Sequence, residues 1–116
     1  MTARSHERPR RRLGEPAMPK AYWIARLDVH NAEPFEPYSL ANDAIFEKWG
    51  ARFIVRSGKQ EVPEGAARSR SVVVEFPDYA TAVACYRSPE YQANLKLRLP
   101  HSTVDLVIVE GCGPPP

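Results

Sequence analysis

The spacing of apolar residues switches several times along this chain between a step of two and steps of three and four, and that switching constrains the fold more than any other feature. An alternating run sends side chains to two faces of a strand, whereas apolar residues three and four apart share one face of a helix. Residues 21–29 alternate and are β-prone, which predicts a first strand. Glu33-Pro34-Phe35 then opens a helical stretch to Trp49, in which Tyr38, Ala41, Ile45 and Trp49 form the apolar stripe. Gly50 stands where a helix C-terminus takes a left-handed residue. Residues 51–56 alternate again as a second strand, expected to run on through a bulge at Gly58 to Val62. Pro63-Glu64-Gly65 turns the chain into a third strand over 70–76, so that these two strands form a hairpin.

Pro77-Asp78 closes that strand and caps a helix whose apolar positions Tyr79, Ala82, Val83 and Tyr86 share a face. Ser88 as N-cap and Pro89 at the first helical position restart the helix, which carries on through Tyr91 to about Leu99 before Pro100 ends it. Residues 103–110 form a β-branched last strand. The order βαββαβ is the ferredoxin-like arrangement, an α+β domain with a four-stranded antiparallel sheet and two helices on one face.

Alternation sorts the strand residues into two sets. Trp23, Ala25, Leu27, Val29, Phe53, Val55, Val72, Val74, Phe76, Val104, Leu106 and Ile108 are apolar throughout and belong under the helices. The other set mixes Tyr22, Ile24, Ile54, Val73, Val107 and Val109 with Arg26, Asp28, Arg52, Arg56, Glu75 and Asp105. Its aliphatic members would face water in a monomer, and such a patch marks an interface. A second copy laid sheet against sheet closes it, giving a homodimer.

Composition narrows the partners. A chain of 116 residues holds one domain with a thin core. Residues 1–17 carry five arginines against Glu7 and Glu15, a net charge of +3, which leaves −1 for the rest of a chain whose total is +2. The near-neutral remainder lacks the basic footprint of phosphate-backbone binding, so nucleic acid is not expected. Residues 1–17, rich in Arg, Pro and Glu without apolar periodicity, read as a disordered basic extension; 18–112 is the single domain, and 113–116 a tail. Met18 has the look of a second start. No apolar run reaches the length of a membrane span, and the Arg-rich start leads into no apolar signal segment. Cys85 and Cys112 have no metal-ligand spacing and read as reduced thiols of a cytoplasmic protein. His6, His30 and His101 are scattered, so no metal site is expected, and the absence of a GxGxxG or GxxxxGK[ST] motif leaves the expectation of a cofactor-free site.

The stretches Ala21-Tyr22-Trp23-Ile24-Ala25, Gly50-Ala51-Arg52-Phe53-Ile54-Val55-Arg56-Ser57-Gly58, Val73-Val74-Glu75-Phe76-Pro77-Asp78, Tyr86-Arg87-Ser88-Pro89-Glu90-Tyr91 and residues 105–111 resemble the domain-of-unknown-function 1330 family over essentially 18–112. The resemblance implies a dimeric α/β barrel, in a superfamily that also hosts cofactor-free monooxygenases, muconolactone isomerase-like enzymes, haem-dependent chlorite-degrading enzymes and stress-response barrels. It brings no settled activity. The family pattern maps onto Arg56, Gly58, Glu75, Phe76, Ser88, Tyr91 and Arg98, while Ser57 stands where many members have a second glycine.

Candidate ligand-binding residues are therefore Arg52, Arg56, Glu75, Tyr38, Ser88, Tyr91 and Arg98. The arginines could clamp a carboxylate with their planar donor forks, although Arg26, Arg52 and Arg56 could equally pair across strands with Asp28, Glu75 and Asp105. Tyr38, Tyr86 and Tyr91 could hydrogen-bond a ligand or transfer a proton, although aromatic rings on a helical stripe are more commonly core. Tyr91 also lies at a helix start, where donors can gather around an anion. Ser88 reads as a cap rather than a nucleophile, His101 as a surface residue, and Trp23 and Trp49 as core. The leading reading is a small-molecule binder whose ligand, a partly apolar organic molecule with organic acids among the options, lies between sheet and helices. Two alternatives stay open: a cofactor-independent monooxygenase or isomerase using a tyrosine or Glu75, and a non-catalytic stress-response or interaction module.

Overall fold

A computed structural model of the protein describes residues 18–113; the basic extension and the last three prolines expected to be tails lie outside them. In chain order the elements are β1 (Ala21–Val29), α1 (Ala32–Lys48), β2 (Arg52–Arg56), β3 (Arg70–Phe76), α2 (Tyr79–Arg87), α3 (Pro89–Arg98), a short 3₁₀ turn (Leu99–His101) and β4 (Ser102–Glu110). The sheet order is β2-β3-β1-β4 with every neighbouring pair antiparallel, the ferredoxin-like βαββαβ topology.

Local chemistry sets the element ends. Gly50 adopts φ 71° and turns the chain out of α1. Asp78 accepts the Thr81 amide at 2.8 Å, and Ser88 accepts the Tyr91 amide at 3.2 Å while donating to the Cys85 carbonyl at 2.7 Å. Ser88 thus closes α2 and opens α3 at one residue, which breaks the second crossover so that α2 packs on the sheet and α3 turns to pack beside α1.

The buried stripe of α1 is Phe35, Tyr38, Asn42 and Phe46 rather than the expected Tyr38, Ala41, Ile45 and Trp49: Ala41 is exposed, and Ile45 and Trp49 only flank the core. Helix α2 likewise buries Ala82 and Cys85, whereas Tyr79 is exposed. In both helices the period holds and the buried face lies a residue or so from the expected stripe, which left out the polar Asn42 and also Phe35, Phe46 and Cys85.

Trp23 centres the core. Its ring lies 5.1 Å from Phe46, 5.2 Å from Phe76 and 4.9 Å from Tyr91, and its indole N–H donates to the Ala82 carbonyl at 2.9 Å. Edge-to-face aromatic pairs each add about 0.5–1.5 kcal/mol beyond their buried area. The indole bond satisfies the one polar atom that such a ring brings into the interior.

Strand β2 departs from expectation. It ends at Arg56, and residues 57–69 leave the sheet instead of continuing as strand to Val62. The irregularity lies between Phe53 and Val55, not at Gly58: Phe53 pairs with Val74, Val55 with Val73 and Arg56 with Val72. Ile54 and Val55 therefore face one residue of β3, and one extra residue inverts the alternation beyond it. Val55 moves to the open face beside Val73, and Arg56 moves to the helix-facing side with Val72. Both assignments reverse those read from strict alternation.

Candidate functional site

The register lays out the helix-facing side of the sheet as rows of neighbours. One row runs Phe53, Val74, Trp23, Ile108; the next Arg56, Val72, Ala25, Leu106; the third Arg70, Leu27, Val104. Directly opposed residues in antiparallel strands point to the same side. Apolar side chains thus form the middle of this floor, and two arginines stand as diagonal neighbours at its β2–β3 edge.

Helix α1 roofs the floor with Phe35, Tyr38, Asn42 and Phe46, and α3 brings Arg98 to its far side. Between floor and roof lies a cavity of about 80 Å³. Arg98, Val104 and Leu106 also line a second cleft, which continues beside β4 under Tyr86 and Ile108. The cavity therefore spans the sheet from Arg56 at the β2 side to Arg98 at the β4 side.

Arg98 is the unusual residue. It is 7% exposed, yet among the described residues no carboxylate lies within 4.0 Å of its guanidinium. Its guanidinium carbon sits 5.4 Å from the centre of the Tyr38 ring. Burial works against its charge, but the oxygens of Tyr38 and Tyr91 outweigh that and hold its pKa above the ordinary arginine value. Among the described residues its surroundings supply phenol oxygens and an aromatic face but no carboxylate, so this desolvated cation still has no anionic partner. A ligand anion would complete it.

The phenol oxygens of Tyr38 and Tyr91 are 2.7 Å apart in a buried hydrogen bond. Burial first, and then the neighbouring Tyr38, push the Tyr91 phenol well above its ordinary range, so it keeps its proton. Beneath them the Asn94 amide donates to the Tyr38 carbonyl at 3.1 Å and to the Asn42 side chain at 2.9 Å, tying α3 to α1. These bonds fix the Tyr38 ring and hydroxyl beside Arg98.

At the other end Arg56 reaches up to α1, donating to Asp43 at 2.8 Å and to the Ser39 carbonyl at 3.1 Å, and it covers the Phe53 ring at 3.8 Å. Arg70 lines the cavity without an ion pair among the described residues. Counting Arg56, Arg70 and Arg98 against Asp43, the site carries net positive charge.

The seven candidates divide accordingly. Tyr38, Arg56 and Arg98 line the cavity, and Tyr91 backs it through the Tyr38 hydroxyl. Ser88 caps α3 with its hydroxyl engaged in two hydrogen bonds. Arg52 and Glu75 are paired at 3.0 Å on the opposite, open face of the sheet, as the cross-strand alternative held, so they do not join the cavity residues. On that same face Asp28 and Asp105 are bridged by Arg68 at 3.0 and 2.8 Å, a loop residue that strand alternation did not bring into view. Arg70, Ser39 and Asn42 also escaped the sequence reading, because nothing short of the register shows that α1 passes over them.

Among the described residues no three His, Cys, Asp or Glu side chains are grouped to hold a metal ion, and no helix is long and apolar enough to cross a membrane. The family model described as "Domain of unknown function (DUF1330)" matches residues 20–112. No curated protein matches the sequence. Among solved structures, the chain is similar to the RPA0582 protein of unknown function from Rhodopseudomonas palustris, with a TM-score of 0.66 at 16% identity, covering 85% of this chain and 87% of that one. It is also similar to SnoaB, a cofactor-independent oxygenase from Streptomyces nogalater, with a TM-score of 0.57 at 16% identity, covering 84% of this chain and 98% of that one. Likeness at that identity speaks to the fold alone.

Proposed function

The chain belongs to the DUF1330 family, and from that premise we propose that it is a binding protein for a small organic acid, held between the sheet and α1 with its carboxylate on Arg98. The observation that carries this reading is the Arg98 guanidinium, buried, charged and without a carboxylate partner among the described residues, at the side of an apolar cavity. A carboxylate meets a guanidinium through two parallel hydrogen bonds, and the apolar floor would take the ligand's hydrocarbon part. Arg56 and Arg70 add positive potential at the other end. The oxygenase reading of Glu75 loses support, because that carboxylate lies on the far face of the sheet, and Tyr91 is held protonated by burial.

The same reading includes a homodimer in a reducing compartment such as the cytoplasm. Val107 and Val109 on β4 are 56% and 41% exposed, as are Ile54 and Val55 on β2 at 44% and 40%. Aliphatic side chains on one sheet face, rimmed by the Arg52–Glu75 and Arg68–Asp28 pairs, suit a second copy of that face. The two cysteines are free.

The test is calorimetric titration of the purified protein with carboxylic acids and with the matching primary amides. Acids should bind, amides should not, and Arg98→Gln should weaken acid binding about 10- to 100-fold, the range of a charge-assisted bond. Arg98→Lys, which keeps the charge, guards against misreading a folding defect. Equal binding of acids and amides, or undiminished binding by a folded Arg98→Gln, would sink the proposal.

A further inference from the structure

The cavity has a floor of its own making. On the helix-facing side of β1, Ala25 is flanked along the strand by Trp23 and Leu27 and across it by Val72 and Leu106, and all five residues line the same cavity. Four larger side chains around one methyl group form a pit in an inner strand of the sheet. The other small residue on this face of β1, Ala21, is fully covered, whereas Ala25 keeps 9% of its surface. A void in a core forfeits the dispersion contacts of its lining and is destabilising, so a larger residue at position 25 would serve stability better. Alanine there keeps space open in the cavity that Arg98 also lines.

Resting on the organic-acid reading above, we propose that Ala25 is the specificity-determining residue of this site and that the ligand is a short-chain aliphatic carboxylate, its hydrocarbon tail seated in the pit and its head on Arg98. The size follows from the volume. A cavity of about 150 Å³ is what accepts a benzene ring, and about 80 Å³ suits an aliphatic tail of a few carbons instead. The walls are Trp23, Leu27, Val72 and Leu106, held by the sheet on both sides, so they leave little freedom to widen.

Wild type, Ala25→Val, Ala25→Gly and Arg98→Gln would be titrated with acetate, butyrate, hexanoate and benzoate, and melted without ligand. Butyrate should bind wild type best. Ala25→Val should melt at a higher temperature than wild type and shift the preference towards acetate, with butyrate weakened about tenfold relative to it, the scale of a methylene that no longer fits. Ala25→Gly should shift the preference towards hexanoate. An unchanged order of acids in both Ala25 variants would overturn the assignment, as would benzoate binding best to wild type. In those outcomes an effect of Arg98→Gln would leave the organic-acid site standing without this size rule. Failure of every acid to bind wild type would remove both.

Discussion

Single residues decide the chemistry of this protein where their environment opposes their nature. Arg98 is a cation under cover, and Tyr91 is a phenol whose proton burial retains. Cys85 belongs to the same group: burial and, secondarily, Glu90 push its thiol up to about 12, while Cys112 is exposed. A thiol is reactive only as thiolate, so Cys85 should be inert near neutral pH. A disulfide reagent at pH 8 should titrate one thiol per native chain and two after denaturation; two fast-reacting native thiols would show that the α2–sheet packing is loose. None of these environments was visible in the sequence. Tyr38, Arg56 and Tyr91 were reachable there as candidates from residue type and periodicity, Arg98 only through family resemblance, and that resemblance equally named Glu75 and Ser88, which the fold employs elsewhere.

At the scale of elements the bulge in β2 has the largest consequence. It turns Arg56 inward to Asp43 and the cavity, and it places Ser57 at φ 58°, a left-handed conformation that costs a residue with a Cβ about 1 kcal/mol. Ser57→Gly should raise stability by roughly 0.5 kcal/mol after glycine's added unfolded-state entropy is offset; urea denaturation with an unchanged slope would measure it, and a loss of stability would mean the strain is absent. Beyond Ser57 the loop folds back on the open face. The Asp28 carboxylate accepts the Ser69 amide at 2.8 Å and the Arg68 guanidinium at 3.0 Å, and the Ser69 bonds, with Arg68 after them, hold its pKa below the usual carboxylate value. A depressed carboxylate stabilises its loop above its unfolded pKa and loses that contribution as pH falls through the folded value. Asp28→Asn should therefore speed amide exchange in residues 57–69 at neutral pH, and the wild-type loop should approach the variant's rates only in acid.

For the whole molecule the unresolved economy is the open sheet face. Helices α1, α2 and α3 all lie on the other side, so among the described residues no helix covers Ile54, Val55, Val107 and Val109, which stay 40–56% exposed. If two copies meet there, Val107→Glu should yield monomers in sedimentation while leaving the melting of the isolated fold largely intact, since a side chain 56% exposed contributes little inside one chain. Wild type sedimenting as a monomer would remove the dimer from the account. The cavity lies on the opposite face, so ligand binding and association should be separable, with Val107→Glu still binding acids.

By itself the sequence determined the period of the helices and of every strand but β2, both helix caps at Asp78 and Ser88, the left-handed end at Gly50 and the βαββαβ order, because each depends on neighbours a few residues apart. It could not place the bulge, since Phe53-Ile54-Val55-Arg56 alternates as well with the irregularity at Gly58 as at Ile54. That choice is made by what β3 and α1 offer the side chains: Val72 and Val74 set the register and Asp43 receives Arg56. Only the tertiary structure brought Arg98 of α3, Tyr38 of α1 and Ala25 of β1 around one cavity, because an enclosed space is defined by surfaces far apart in the chain, and no local pattern records their meeting.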